Sequence, residues 1–158
     1  MPELPEVETI RRQLNEALKG RSILKVIVLN GKSFVGDLNE AVDCEVEDVA
    51  RKAKVLMISF LKSDWVIIIH LKMTGQLIFV DGEKRVVGGH PTLDWVNELP
   101  SKHTRVIWEM KDGSKLYFND MRKFGWQKMI NRTEMDTLIN KMPLDLSLIH
   151  ISEPTRPY

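Results

Sequence analysis

Pro2 and Glu3 open the run Met1-Pro2-Glu3-Leu4-Pro5-Glu6-Val7-Glu8. Methionine ahead of so small a residue is a substrate for aminopeptidase removal, and the product would carry a secondary amine at its N-terminus. An α-amino group has a pKa of roughly 8, so a useful fraction is an unprotonated nucleophile at neutral pH. Attack of such an amine on a sugar C1′ gives a permanently charged iminium, which is an electron sink. A neighbouring carboxyl such as Glu3 can move protons to and from the sugar oxygen. The plainer account is that prolines start helices and glutamates complement a helix dipole, and for one Pro and one Glu it suffices.

Further along are residues of mixed meaning. Lys54 is one cation of the cluster Arg51-Lys52-Ala53-Lys54, and His70 ends the apolar run Val66-Ile67-Ile68-Ile69. His103 sits between Lys102 and Thr104-Arg105. Met73 at a strand end and Phe124 beside Gly125 are ordinary core types. Charge is unevenly spread. Residues 1–100 hold 13 basic and 15 acidic side chains, whereas residues 102–132 hold 8 basic and 3 acidic, a local excess of +5. Such a stretch can follow a phosphate backbone, though a solvated strand face explains charge alone equally well. With 4 His and 1 Cys scattered along the chain, no metal-ligand spacing is present.

Taken together, five segments in register carry a resemblance. These are Pro2 to Arg12, Arg51-Lys52-Ala53-Lys54, His70-Leu71-Lys72-Met73-Thr74-Gly75, Lys102-His103-Thr104-Arg105 and Asn119-Asp120-Met121-Arg122-Lys123-Phe124-Gly125. The chain resembles the N-terminal domain of formamidopyrimidine-DNA glycosylases, bifunctional repair enzymes that excise oxidised purines, over residues 2 to about 145. Leu4 favours this branch over the sister endonuclease VIII group, which typically begins Pro-Glu-Gly-Pro.

The resemblance implies roles at matching positions. Pro2 would be the nucleophile that displaces the damaged base and forms the Schiff base, Glu3 the adjacent proton donor, and Lys54 a phosphate-reaching cation that assists β-elimination. His70 and His103 would contact DNA, and Met73, Arg122 and Phe124 would fill the gap left by the extruded base. The partner would be double-stranded DNA carrying oxidised purines or abasic sites, met by a monomer with no cofactor in this chain. A non-catalytic DNA-binding β-sandwich that keeps the wedge loop is the alternative. Three positions depart from the family pattern: Lys72 where Gly is usual, Met121 where Pro is usual, and Lys123 where Arg is common. Family members are about twice as long, adding a helix-two-turns-helix module and usually a zinc finger. The chain therefore reads as a fragment that binds lesion DNA weakly.

The supporting elements follow from periodicity. Val7, Ile10, Leu14, Ala17 and Leu18 define an amphipathic helix over 5–19, with Gly20 as its C-terminal cap. β-Branched runs predict strands at 22–30, 44–49, 54–61, 65–71, 76–80, 104–110, 115–119 and 125–130. Lys111-Asp112-Gly113-Ser114 is a hairpin signal. Residues 81–101, with three Gly and two Pro, read as a long loop. Thr133 and Asp136 read as a capping box that opens a short helix.

The expected fold is mainly β with flanking helices, an α+β chain built on a two-sheet sandwich or flattened barrel of about eight strands. Its expected divisions are a sandwich domain over 1–132, a linker helix over 133–145 and a non-native, adapter-derived tail over 146–158. At 158 residues, 43% apolar and 28% charged, the chain can bury a core without staples. Its longest apolar run is too short to cross a bilayer, and a cytoplasmic location is expected.

Overall fold

A computed structural model describes residues 4–82, 84–89 and 98–140, and the side chains of 138–140 are outside this description. Pro2, Glu3 and the tail over 146–158 lie outside the described residues.

The elements are α1 (Leu4–Leu18), β1 (Ile23–Val28), β2 (Phe34–Val35), α2 (Leu38–Ala41), β3 (Val46–Lys52), β4 (Val55–Phe60), β5 (Trp65–His70), β6 (Gly75–Asp81), β7 (Lys84–Gly89), β8 (Thr104–Met110), β9 (Lys115–Asp120), β10 (Trp126–Asn131) and α3 (Arg132–Asn140). Two five-stranded sheets face each other, one ordered β1-β8-β9-β6-β7 and the other β2-β10-β5-β4-β3. The sandwich is the expected architecture. It has ten described strands rather than about eight because Phe34–Val35 pairs with β10 and Lys84–Gly89 pairs with β6. The second pairing corrects the reading of 81–101 as a loop. Gly88 and Gly89 look like loop residues in sequence, yet antiparallel pairing with Leu77 and Gln76 absorbs them into an edge strand.

The inner faces interdigitate around Trp108, Phe60, Phe118, Leu56, Ile58 and Ile67, each almost wholly buried. Side chains of this size each contribute about 1.5–3 kcal/mol through burial. Across this core the Trp108 indole donates to Gln127 Oε1 at 2.9 Å, tying one sheet to the other.

α1 lies across the open side between the edge strands β3 and β7. Its buried stripe is Val7, Ile10, Leu14 and Leu18, as the period predicts. Its polar side chains complete the free edge of β3: the Val49 amide donates to Asn15 Oδ1 at 2.8 Å, and Arg11 Nη1 donates to the Val49 carbonyl at 3.2 Å. An edge treated this way has no free ladder groups there for another chain. The helix comes close to β7 because residue 88 has no side chain; a Cβ there would lie 2.4 Å from Ile10 Cγ1.

At the other end of the chain, α3 begins at Arg132 because Asn131 caps it, with its Oδ1 accepting from the Glu134 amide at 2.8 Å. The expected capping box at Thr133 is therefore two residues too late. Thr133 already lies within the helix, its carbonyl accepting from the Thr137 hydroxyl at 3.1 Å.

Candidate functional site

Strand direction sorts the loops into two rims. At one rim are the β3–β4 turn with Lys54, the β5–β6 loop over 71–74, the approach to β8 over 101–103 and the β9–β10 loop over 121–125. The register confirms that these ends are level. Val55, His70 and Trp126 pair in a row across β4, β5 and β10, while Gly75 pairs with Asp120 in the facing sheet. Every described candidate residue belongs to this rim: Lys54, His70, Met73, His103, Arg122 and Phe124.

Their environments differ. Met73 and Phe124 are 48% and 58% exposed, unusual for apolar side chains of that size. Arg122 and Lys123 are exposed beside Phe124, while Lys54, His70 and His103 are half-buried. His70 sits on Trp126, their ring centroids 5.9 Å apart and tilted by 43°. Its Nδ1 accepts from the Lys72 amide at 3.0 Å, so the ring proton resides on Nε2. Burial, then the nearby charges of Lys72 and Lys54, push its pKa down to about 4. At neutral pH His70 is therefore an uncharged N–H donor.

The two loops with exposed apolar tips are held by one buried carboxylate. Asp120 is completely buried at the end of β9. Its Oδ1 takes the Thr74 hydroxyl from the β5–β6 loop. The Arg122 amide is shared between that oxygen at 3.2 Å and Thr74 Oγ1 at 3.1 Å. Oδ2 accepts the Gly125 amide at 2.6 Å. The Asp120 main chain joins a third segment, with its amide donating to the His103 carbonyl at 2.9 Å and its carbonyl accepting from Arg105 Nε at 2.9 Å. A single residue, through its side chain and main chain together, thus fixes the segments bearing Met73, His103, Arg122 and Phe124. Gly125 has to be glycine for this arrangement, because a Cβ there would lie 2.9 Å from Asp120 Oδ2 and from the His70 carbonyl oxygen.

One residue deeper, a polar ladder crosses three strands. Asn119 donates to Gln76 Oε1 at 2.9 Å and accepts the Thr104 hydroxyl at 2.7 Å, and Thr104 Oγ1 accepts the Ser101 amide at 2.9 Å. Gln76, Thr104 and Asn119 are all buried. In buried neutral bonds of this kind, leaving one partner unpaired costs about 1–3 kcal/mol.

The start of α1 is tied to the same rim. Glu8 bonds Arg11, Arg12 and the buried Arg51, the last at 2.9 Å, and Arg51 Nη1 also donates to the Ala53 carbonyl at 3.0 Å, next to Lys54. Burial pushes the Glu8 carboxyl up, but the bonds from Arg11 and Arg51 outweigh it, and its pKa falls to about 2. This anchors the first turns of the helix beside the β3–β4 turn.

Sequence reasoning identified the exposed tips and missed what supports them. Thr74, Asp120 and Asn119 fall inside the very segments that carry the resemblance. The available signal was a set of short hydrogen-bonding side chains at strand ends, where solvated lysines and glutamates are more usual. Among the described residues no three His, Cys, Asp or Glu side chains converge to hold a metal, and no helix is long and apolar enough to cross a membrane.

The backbone of both loops is strained at a lysine. Lys72 and Lys123 adopt left-handed conformations, with φ of 53° and 62°. For a residue with a Cβ this costs roughly 1–2 kcal/mol.

Comparison with known proteins gives this rim a family context. Residues 1–127 match the model of the formamidopyrimidine-DNA glycosylase N-terminal domain. The formamidopyrimidine-DNA glycosylase of Pelotomaculum thermopropionicum is 34% identical over 143 residues, covering 87% of this chain and 46% of that protein. The enzyme of the same name from Rickettsia conorii is 35% identical over 157 residues, covering 97% of this chain and 51% of its own length. Among solved structures, a complex of Lactococcus lactis Fpg with DNA containing an abasic site aligns with a TM-score of 0.72 and 24% identity, over 89% of this chain and 48% of that one. The chain spans about half the length of the relatives it matches. On the strength of the matched domain and these identities, the chain belongs to the formamidopyrimidine-DNA glycosylase family, in its N-terminal domain.

Proposed function

We propose that this chain carries the catalytic half of a base-excision repair glycosylase with an associated lyase activity, acting on oxidised purines in double-stranded DNA. The observation that carries this reading is the near rim itself, where Met73 and Phe124 stand exposed on loops locked through Asp120, with Arg122, Lys54 and His70 alongside. Extruding a base leaves a gap costing a few kcal/mol in lost stacking, and rigidly held apolar tips can occupy it. Rigidity matters because a mobile wedge would lose in ordering what it gains in stacking.

In this proposal Met1 is removed and the Pro2 nitrogen attacks C1′ of the flipped nucleotide. The C1′–base bond breaks, the base leaves with its electron pair, and Glu3 protonates the sugar oxygen as the ring opens to an iminium. Loss of a C2′ proton then expels the 3′-phosphate, and a second elimination expels the 5′-phosphate. Lys54 neutralises phosphate charge during these steps. The anchoring of α1 through Glu8 and Arg51 supports this geometry, because Leu4, two residues after Pro2, starts a helix whose first turns are tied beside Lys54. Two residues reach no farther than about 7 Å.

Capture under borohydride tests the proposal. With the N-terminus established by mass spectrometry as Pro2, the chain is mixed at low salt with abasic duplex and reduced. A covalent adduct is expected. Glu3→Gln is expected to retain capture on abasic DNA while stalling base excision. No adduct from a correctly trimmed chain would leave the non-catalytic DNA-binding reading in its place.

A further inference from the structure

Among the described residues, five besides glycine have left-handed backbone: Asp43, Ala53, Lys62, Lys72 and Lys123. Asp and Asn enter that region with help from local side-chain bonds, and lysine gains no such help, so a left-handed lysine calls for a reason in its surroundings. Lys62 has an ordinary one, since it lies in the tight turn joining neighbouring strands β4 and β5, at the far rim. Lys72 does not lie in a hairpin. It belongs to the loop passing from β5 in one sheet to β6 in the other. Its amide is fixed on His70 Nδ1 at 3.0 Å, and the next residue is the exposed Met73.

The side chain of Lys72 is half-buried, and it takes part in none of the ion pairs among the described residues. Its charge and that of Lys54 are both felt at His70. Among the described residues the rim therefore holds a cation next to its apolar tip without an ion-pair partner, at a position whose backbone glycine would occupy without strain.

We propose that Lys72 is a phosphate-binding residue, its ammonium neutralising a backbone phosphate of the duplex next to the gap that Met73 fills. This rests on reading the rim as a DNA-binding surface and adds to it a contact at a position where the family resemblance calls for Gly. The left-handed strain is retained because the charge is useful there, so stability and binding should respond to substitution with opposite signs.

Salt dependence of binding separates the possibilities. Affinity of the 158-residue chain for a duplex carrying a tetrahydrofuran abasic analogue is measured by fluorescence anisotropy between about 50 and 200 mM salt, where each phosphate contact contributes a slope of about −0.9 in log affinity against log salt. Lys72→Gly and Lys72→Gln are both expected to bind more weakly at the low-salt end and to lose one contact's slope. Across that range their affinity should fall about 3.5-fold less than the parent's. Lys72→Arg should keep the parent slope. Lys72→Gly should melt no lower than the parent, which separates lost contact from lost fold, and Lys62→Gly relieves the same backbone conformation at the far rim without changing the slope. Unchanged slopes in Lys72→Gly and Lys72→Gln, with duplex binding intact, overturn the assignment of Lys72 alone. A parent chain that fails to bind any duplex at low salt overturns the DNA reading of the rim as well.

Discussion

The two rims of the sandwich are closed by opposite charges. At the near rim the fully buried carboxylate of Asp120 gathers the Arg122 and Gly125 amides and the Thr74 hydroxyl. At the far rim the partly exposed guanidinium of Arg21 gathers Asp112 at 2.5 Å, Asp81 at 2.9 Å and the Ala17 carbonyl at 2.6 Å, while stacking 4.9 Å from the Phe79 ring. The far clamp joins tight hairpin turns that are already regular, and the Ser114 hydroxyl holds the Asp112 carboxyl below its usual range. The near clamp holds irregular loops that end in exposed apolar side chains. Regular turns need little help, so their clamp can sit in solvent. Loops that present Met73 and Phe124 to water have no hydrophobic reason to hold one shape, and a buried polar centre supplies it.

That contrast can be broken most directly at Asp120. Asp120→Ala leaves buried donors without partners and is expected to lose about 3 kcal/mol or more in urea unfolding, with faster amide exchange confined to the near-rim loops. A loss below about 1 kcal/mol would mean that the loops hold themselves. Arg21→Ala should cost less, about 1–2 kcal/mol, because its partners are half in solvent. It should leave exchange in residues 71–74 and 121–125 unchanged.

Acid should act on the near rim through His70. Its folded pKa of about 4 lies below the ordinary value of 6.5, so the unfolded chain binds the proton more readily. The His70 contribution is therefore intact above about pH 6.5 and lost progressively as pH falls towards 4. A pH series of unfolding midpoints should show this slope in the parent and a flatter one in His70→Gln. Glu8 adds a second loss between about pH 4.5 and 2. The smallest stability changes belong to Met73→Ala and Phe124→Ala, within about 0.5 kcal/mol, since both side chains are exposed. Their capture of abasic duplex should nevertheless fall about tenfold if stacking worth more than 1 kcal/mol is lost. Equal capture by these variants would remove the wedge role.

What could be read from sequence follows the same division. The α1 stripe and the hairpin at Asp112-Gly113 were legible because local periodicity and turn chemistry determine them. β7 was not, because Lys84–Gly89 becomes a strand only through its pairing with β6. The exposed tips at Met73 and Phe124 came from motif resemblance, while Asp120 stayed hidden as one motif letter among several. Its function lies in contacts with Thr74, 46 residues away, which no local pattern encodes.

The strand order also bears on how the chain is made. β1 has its sheet partner in β8 and β2 in β10, and β10 is inserted between β2 and β5. During synthesis, the β3-β4-β5 meander and the β6–β7 hairpin have partners as soon as they emerge. The first two strands instead wait for those partners until some eighty to ninety residues later have left the ribosome, β1 meanwhile held only at its start by backbone bonds between Ile23 and residues 43–44. Until Trp126–Asn131 arrives, the facing edges of β2 and β5 remain open to chaperones and to neighbouring nascent chains, so the last of the described strands to be translated is the one that completes its sheet.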